Sequence, residues 1–324
     1  MKVIVPVAGI GNRLRPHTLS LPKPLLRIAG KTILDYVLEP LTRLDLDEVV
    51  FVTGFKGDQI RQYVESKYSF KAKFVQQKEL LGLGFAVLLA LNHLDDGPVL
   101  VILGDTIVDC DLKEFITAGD YALGVCPTPD PKRFGIADMA NGVIKGLEEK
   151  PKNPKSDLAL IGLYYFKDTN LLRQSLDELV QSGKRTNGEI QITDALTAMI
   201  QLGIKFSAFK VKQWYDCGKK ETLLQTSRYI LGKLPQPSPI EGSVLLPPLY
   251  VAKTARIVNS IVGPNVSIAD GVEIINSIIR NSVLGRQTRV ENTVIEESLM
   301  GQKAIVRGSR RILNISDSSE VDCG

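Results

Sequence analysis

Hydrophobic runs alternate with helical patterns over the first 232 residues. Four apolar runs, bounded by polar residues or glycine, predict strands: VIVPV, EVVFVTG, AKFVQQ and PVLVILGD. Between the first two, the segment TILDYVLEPLTRL predicts a helix, and Thr32 with Asp35 predicts a capping box at its start. The apolar positions on one face of this helix are Ile33, Leu34, Val37, Leu38 and Leu41. Apolar strands that alternate with helices indicate a Rossmann-like, doubly wound α/β domain with a mainly parallel sheet covered on both faces.

The pattern changes at residue 233. Prolines at positions 235, 237 and 239 cannot continue a helix or pair in a central strand, so residues 233–242 are predicted to be a linker. In residues 243–324, apolar positions separated by polar turns recur six apart, at Val266, Val272, Ile278, Leu284 and Val290. This period is typical of a parallel β-helix with roughly 18 residues per coil, in which neighbouring coils stack. An antiparallel β domain with a chance period is the alternative.

Composition narrows the classes of function. The 324 residues are 44% hydrophobic and 23% charged, as expected of a folded chain of two domains. The net charge is +4 and acids and bases are interspersed, whereas a nucleic-acid binder concentrates its basic residues on one face. Only about eight apolar residues precede Arg13, too few for a signal peptide or a membrane span. The four cysteines are scattered without metal or disulfide spacing, so we expect a cytoplasmic protein without nucleic-acid or membrane partners.

The loop after the first predicted strand, VAGIGNRLRPHTLSLPKPLL, combines glycines, cations and prolines and contains no acid. At the carboxyl end of a parallel strand it would line the crevice where open α/β sheets bind ligands. Gly9 and Gly11 allow a tight turn that brings backbone N–H groups close to phosphate oxygens, and Arg13 and Lys23 add two cations. The pattern suits a polyphosphate, although glycine turns without a ligand are common. The dinucleotide and P-loop fingerprints are both absent.

This loop resembles the signature of the sugar-1-phosphate nucleotidyltransferases, G-x-G-x-R-L followed by P-K-P-L-L. The resemblance runs through the first 230 residues in the family's motif order, and several members carry a hexapeptide tail folded as a left-handed β-helix. It implies that a nucleoside triphosphate and a sugar 1-phosphate become a nucleotide sugar and pyrophosphate, with Mg²⁺ as cofactor. It also implies that Arg13 and Lys23 are catalytic. The loop residues implied to bind nucleotide are Ala8, Gly9, Gly11, Asn12 and Arg13.

Two aspartates match the metal-binding pair of the family. Asp105 follows the buried run VLVILGD, and Asp216 lies about 110 residues later in QWYDCG. A carboxylate at the carboxyl end of a strand suits Mg²⁺, although an ordinary turn would also explain an aspartate after glycine. Only the fold can bring the two aspartates together.

Two further stretches resemble the base and sugar sites of the family. In FVQQKELLGLG, Gln77 and Gly82 are implied to bind the base. Without the resemblance, the same stretch would also be explained as the glycine-rich start of a helix. The EEKP motif is implied to place Glu149 at sugar hydroxyls and Lys150 at the sugar phosphate, although a solvated charged loop would look alike. Gly135 and the LIGLY segment around Ile161 and Gly162 are implied to shape the sugar pocket. The segment NGEIQITDAL, which contains Thr193, also resembles a family segment near the sugar, but a capped helix start explains it as well and it is assigned no role.

The GLG form resembles enzymes that use dTTP or UTP, so we expect one of these with glucose 1-phosphate. GTP with mannose 1-phosphate and UTP with N-acetylglucosamine 1-phosphate are the alternative substrate pairs. A catalytically silent subunit that senses nucleotide sugars is a further alternative, which the intact set of cations and carboxylates argues against. No histidine follows residue 93, so the tail is not expected to transfer acyl groups. We expect it to assemble a homo-oligomer instead.

Overall fold

The computed structural model describes residues 1–308, which fall into two compact units divided between Thr226 and Ser227. This division lies inside the last helix, shortly before the boundary expected after residue 232. The assignment of residues 1–232 to catalysis stays a prediction.

The first unit is an α/β domain, and its last helix continues into the second unit. The strands are β1 (Lys2–Val7), β2 (Arg27–Ile28), β3 (Lys31–Thr32), β4 (Glu48–Thr53), β5 (Ala72–Gln76), β6 (Val99–Ile102), β7 (Thr106–Asp109), β8 (Tyr121–Pro127), β9 (Gly135–Ala140), β10 (Val143–Glu149), β11 (Leu158–Phe166), β12 (Phe206–Lys210) and β13 (Gln213–Asp216). The helices are α1 (Ile33–Leu41), α2 (Gly57–Lys67), α3 (Leu83–Leu91), α4 (Leu112–Ile116), α5 (Asn170–Ser182), α6 (Ile192–Gln201) and α7 (Lys220–Leu231).

A nine-stranded sheet in the order β5-β4-β1-β6-β11-β8-β12-β10-β9 forms the centre of this unit. The first four strands are parallel, as predicted. Beyond them β11 runs antiparallel to β6 and β8, and β9 and β10 form a hairpin. Asn141 and Gly142 make its two-residue turn with φ values of 53° and 77°, the geometry that joins antiparallel strands most tightly. The parallel pattern is therefore concentrated in the half of the sheet that carries the opening loop.

Helices cover both faces of the sheet, which explains why its parallel strands are apolar throughout. Ile4 of β1 packs in the cluster that contains α3, α5 and α6, whereas Val3 and Val5 pack in the cluster that contains α1, α2 and α4. The predicted apolar face of α1 is buried, and its predicted capping box is present, with reciprocal hydrogen bonds between Thr32 and Asp35. The predicted Rossmann-like fold is confirmed.

The second unit consists of short parallel strands stacked in three sheets. They are β14 (Val244–Leu245), β15 (Leu249–Val251), β16 (Arg256–Val258), β17 (Ile261–Val262), β18 (Val266–Ile268), β19 (Glu273–Ile275), β20 (Ile278–Ile279), β21 (Val283–Leu284), β22 (Arg289–Glu291), β23 (Val294–Ile295), β24 (Leu299–Met300) and β25 (Ile305–Arg307). This is the left-handed parallel β-helix that the hexapeptide period predicts.

Coils of this β-helix have 17 or 16 residues rather than 18, since Val244 pairs with Ile261 and Ile278 pairs with Val294. The strict six-residue period therefore slips by one position. Ile278, one of the positions of that period, is therefore only partly buried, and Ile279 fills the core in its place.

Asparagines stabilise the corners between coils. Asn259, Asn276 and Asn292 adopt φ values of 46°, 50° and 52°, which asparagine tolerates better than most residues. Their side-chain amides form a ladder, with hydrogen bonds of 2.9 and 3.0 Å. These asparagines of the repeat are thus corner residues. None of the helices in residues 1–308 has the length and apolar content needed to cross a bilayer.

Candidate active site

The opening loop leaves the carboxyl end of β1, and its two glycines have different reasons to be glycine. Gly11 has a φ of +73°, and a Cβ there would lie 2.9 Å from Thr18 Cγ2 and 3.2 Å from Lys23 Cβ. The fold itself therefore requires glycine at this position. A Cβ at Gly9 would meet no atom within 4 Å. The open space beside Gly9 is available to a ligand. Asn12 and Arg13 follow on an exposed 3₁₀ turn, while Ala8 is buried.

The fold brings Asp105 and Asp216 together. Strand β13 pairs with β7 so that Asp216 lies opposite Thr106, and the Cys217 N–H donates to the Asp105 carbonyl at 3.2 Å. The Lys23 ammonium lies 2.6 Å from Asp105 Oδ2 and 4.0 Å from Asp216 Oδ1. Residues from three distant parts of the sequence thus form one charged cluster.

Burial and ion pairing act in opposite directions on this cluster. Only 8% of the Lys23 side chain is exposed. Burial alone would lower the pKa of Lys23, but the negative charge of Asp105 outweighs it and raises that pKa above its ordinary value. Burial likewise opposes ionisation of Asp105, while Lys23 reverses the effect and lowers the pKa of Asp105. Both groups are therefore charged at neutral pH.

The neighbouring Cys217 does not join the cluster chemically. Its side chain is fully buried, and burial raises the pKa of its thiol to about 12. A neutral, inaccessible thiol is a packing group rather than a nucleophile.

Two arginines complete the cluster. A Cβ placed on Gly218 would lie 2.9 Å from Arg13 Nη2 and 2.8 Å from Asp216 Oδ1, so both side chains converge on this glycine. Arg133 Nη2 lies 3.4 Å from Asp216 Oδ2. Sequence analysis included Arg13 but missed Arg133 and Gly218. A charged PKRF turn gives no sign of its partner, whereas the glycine after QWYDC was visible as part of the motif.

The chemistry of the two carboxylates fits a hard divalent cation. Mg²⁺ uses one or two protein carboxylates and completes its shell with phosphate and water oxygens. Within residues 1–308 no cluster of three or more His, Cys, Asp or Glu side chains is arranged to hold a metal. A metal at this site would therefore be coordinated by Asp105 and Asp216, and its remaining ligands would be oxygens of phosphate groups and water.

Gln77 and Gly82 lie on the other side of the opening loop. Gln77 is buried after β5, and its side-chain amide donates to the Gly82 carbonyl at 3.4 Å. With Ile10 it lines a cleft of about 500 Å³ at the carboxyl ends of β1, β4 and β5. Gly82 has a φ of +109°, and a Cβ there would lie 2.7 Å from the Ile190 carbonyl oxygen. The NGEIQ segment, assigned no role from sequence, is the surface against which the GLG turn packs.

Glu149 and Lys150 are held by the β9–β10 hairpin and the start of α6. Gly135 pairs with Glu149, and the Thr193 hydroxyl donates to Glu149 Oε2 at 2.7 Å. A Cβ on Gly135 would lie 3.0 Å from both of these oxygens. The Lys150 ammonium is 3.5 Å from Glu149 Oε1. Thr193 was given no role from sequence, because a threonine in the first turn of a helix is adequately explained as a local helix signal.

Ile161 belongs to the segment that is implied to shape the sugar pocket, but its side chain faces the core. Its side chain is only 1% exposed and packs in the hydrophobic core against Gly124, where a Cβ would lie 3.0 Å from it. A register shift in β11 follows at Gly162, whose φ is +76°. The side chain of Ile161 therefore shapes the core rather than a pocket, and only its backbone could line one.

Comparison with known proteins agrees with this architecture. A family model described as nucleotidyl transferase matches residues 2–233. This chain belongs to the nucleotidyl transferase family. The resemblance inferred from the sequence motifs is confirmed, as is the prediction of a nucleotidyltransferase enzyme.

Individual members of the family cover the chain to different extents. A glucose-1-phosphate thymidylyltransferase from Streptomyces griseus is 30% identical, over 96% of this chain and 95% of its own length. The bifunctional protein GlmU from Methanocaldococcus jannaschii is 36% identical over 72% of this chain, which spans 55% of GlmU. A crystal structure of UDP-glucose pyrophosphorylase complexed with UDP-glucose superposes with a TM-score of 0.63 and 26% identity, over 72% of this chain and 99% of that one.

Proposed function

We propose that this chain transfers a nucleotidyl group from a nucleoside triphosphate to a sugar 1-phosphate. The observation that carries the proposal is the convergence of Arg13, Lys23, Asp105 and Asp216 beside the opening loop. Two polyanions repel each other, and a buried ammonium with a neighbouring guanidinium offsets that repulsion. The attacking phosphate oxygen is already ionised at neutral pH, so alignment and charge neutralisation supply most of the catalysis.

Mg²⁺ is the cofactor that the carboxylate pair suits best. Asp105 and Asp216 would hold it, and when bound it would neutralise charge on the phosphates and polarise the reacting phosphoryl group. Arg13 would bind the departing pyrophosphate and Lys23 the reacting phosphate, because a charged donor stabilises a developing anion. Lys150 would anchor the sugar phosphate, and Glu149 would accept hydrogen bonds from sugar hydroxyls.

We infer that the substrates are dTTP or UTP and glucose 1-phosphate. The thymidylyltransferase from Streptomyces griseus aligns over almost its whole length, which supports glucose 1-phosphate and dTTP. The GLG turn, packed beside Gln77, is the feature that resembles users of dTTP or UTP. A site that recognises a pyrimidine edge discriminates strongly against purines, since unpaired buried polar groups are costly.

Pyrophosphate release from a matrix of nucleoside triphosphates and sugar 1-phosphates tests this proposal. We expect the highest kcat/KM for dTTP or UTP with glucose 1-phosphate and at least a hundredfold slower release from Asp216→Asn. Release that is highest with N-acetylglucosamine 1-phosphate or mannose 1-phosphate would overturn the sugar assignment. Binding of a nucleotide sugar without release from any pair would instead identify a silent sensor.

We infer further that the β-helix forms a homo-oligomer through one outer face. The outward residues of β14, β17, β20 and β23 make an uncharged aliphatic ladder of Val244, Ile261, Ile278 and Val294. Val244 is 51% exposed and Val294 is 69% exposed, which is unusual for a continuous aliphatic row. Identical ladders on two copies can pack against each other without burying a charge.

Light scattering on the full chain tests the assembly. Val294→Lys places a charge in the ladder and should reduce the mass in solution to that of a monomer, whereas Lys253→Glu, at an exposed site in the same unit, should not. An unchanged mass for Val294→Lys would contradict the ladder as the interface. The cytoplasmic location and the lack of nucleic-acid or membrane partners stay predictions.

A further inference from the structure

Arg133 is a cation of the carboxylate cluster that the proposed mechanism does not use. It ends the 3₁₀ turn Pro131–Arg133, and Phe134 separates it from the start of β9. Its Nη2 is 3.4 Å from Asp216 Oδ2, and its Nε is 3.9 Å from Asp130 Oδ2. The guanidinium also lies over the ring of Phe134, 5.2 Å from its centroid. Its side chain is 30% exposed, so these contacts compete with water and can be exchanged.

The position of Arg133 connects two parts of the site. On one side it contacts Asp216 of the carboxylate pair. On the other side Phe134 accepts a backbone hydrogen bond from Lys150 at 3.0 Å and precedes Gly135, which pairs with Glu149. The arginine therefore lies between the residues proposed for the metal and those proposed for the sugar phosphate.

The balance of charges around Asp216 suggests a role for Arg133. Asp216 faces two cations within 4.0 Å, Lys23 and Arg133, although only one of them is buried. A divalent cation held by Asp216 would repel the guanidinium that lies 3.4 Å from the same carboxylate, so metal binding weakens the pairing between Asp216 and Arg133. The guanidinium that is released carries a planar set of donors suited to phosphate oxygens.

We propose that Arg133 occupies the position of a divalent cation beside Asp216 in the free chain, and that it binds a phosphate group of the substrates once the metal is bound. In the free chain it pairs with Asp216; when that carboxylate is engaged by a metal, Arg133 exchanges it for a phosphate oxygen of the substrates. Metal binding and phosphate binding are thereby coupled, and neither carboxylate is left without a counter-charge at any stage. This inference rests on the proposed function, since it assumes that Asp216 holds the metal.

Binding measurements without turnover test the exchange. Mn²⁺ alone, followed by the electron paramagnetic resonance of the free ion, should bind Arg133→Gln about two- to fivefold more tightly than wild type, as expected for removal of a partly exposed competing ion pair. Lys132→Gln, an exposed neighbour with the same charge change, should bind Mn²⁺ as wild type does. Arg133→Lys keeps the competing charge and should stay within about twofold of wild type.

Pyrophosphate binding at saturating Mn²⁺ tests the second half of the exchange. Arg133→Gln should weaken it about fivefold or more, which is the opposite direction from its effect on Mn²⁺. A purely structural role would weaken both ligands. Mn²⁺ affinity in Arg133→Gln that is unchanged or lower, or pyrophosphate affinity that is unchanged, would overturn the inference.

The variant Asp216→Asn shows whether a negative result disproves only the role of Arg133 or also the proposed metal site. If that variant loses Mn²⁺ binding while Arg133→Gln gains none, only the role of Arg133 is wrong. If Asp216→Asn binds Mn²⁺ like wild type, the metal site itself is wrong. Trp214 provides a check on the fold of each variant, because this sole tryptophan packs edge-on against Phe134, with ring centroids 4.9 Å apart.

Discussion

At the residue scale, the opening loop contains one glycine that the fold needs and one that only a ligand would need. Gly11 has a left-handed backbone, and a Cβ on it would crowd Thr18 and Lys23, whereas a Cβ on Gly9 would meet open space. The sequence motif does not distinguish them, because both appear simply as glycines in G-x-G. The distinction depends on backbone angles and on neighbours that are brought in by the fold.

Alanine substitutions at these two glycines should therefore have opposite consequences. Gly11→Ala should lower the free energy of unfolding by about 1–2 kcal/mol or more, from strain at positive φ and from crowding. Gly9→Ala should change the free energy of unfolding by less than about 0.5 kcal/mol and yet raise KM for the nucleotide at least tenfold. Denaturant unfolding and steady-state kinetics on both variants check this. A stable Gly9→Ala enzyme with normal nucleotide KM would show that the space beside Gly9 is not used.

Thr193 provides a second test at this scale. Thr193→Val removes the hydroxyl that donates to Glu149 Oε2 but keeps the shape of the side chain. A hydrogen bond to a charged acceptor contributes about 1.5–3 kcal/mol, so the KM for sugar 1-phosphate should rise roughly tenfold with the nucleotide KM unchanged. Thr193→Ser restores the donor and should return the sugar KM to within about twofold of wild type. Equal effects on both substrates would indicate a general loss of structure instead.

At the scale of elements, a buried carboxylate joins α1 to α2. Asp35, the residue that completes the capping box of α1, accepts hydrogen bonds from Tyr63, Lys67 and Tyr68. Burial alone would raise its pKa, but these donors and the Thr32 N–H outweigh burial and lower it to about 2. The capping box was predictable from four adjacent residues. Its partners from α2 were not, since they depend on how the two helices pack.

This pKa gives the network a definite pH dependence. A carboxyl whose folded pKa lies below its unfolded value stabilises the fold above the unfolded pKa, near 4, and loses that effect as pH falls toward 2. Asp35→Asn should therefore lower the free energy of unfolding at pH 7 by about 2 kcal/mol. The difference between the two proteins should shrink between pH 5 and pH 2 in urea titrations. A difference that does not depend on pH would show that ionisation of Asp35 contributes nothing.

At the scale of the whole molecule, local patterns predicted the order of elements and the motifs predicted the cluster at the end of β1. Periodicity located the strands, α1 and the β-helix, because those signals are carried by neighbouring residues. The same reasoning did not include Arg133, gave Thr193 no role, and did not show that the side chain of Ile161 lies in the core. Each of these depends on contacts between residues far apart in the chain, and local patterns in the sequence do not reveal such contacts.

The central claim is that two aspartates from distant parts of the chain act as one metal-binding unit. The most direct measurement is kcat for Asp105→Asn, Asp216→Asn and the double variant at saturating Mg²⁺ and substrates. Each single change should reduce kcat at least a hundredfold, and the double variant should be little slower than either, because groups that act as a unit are strongly non-additive. Near-normal turnover in either single variant, or losses that simply multiply in the double variant, would contradict the account.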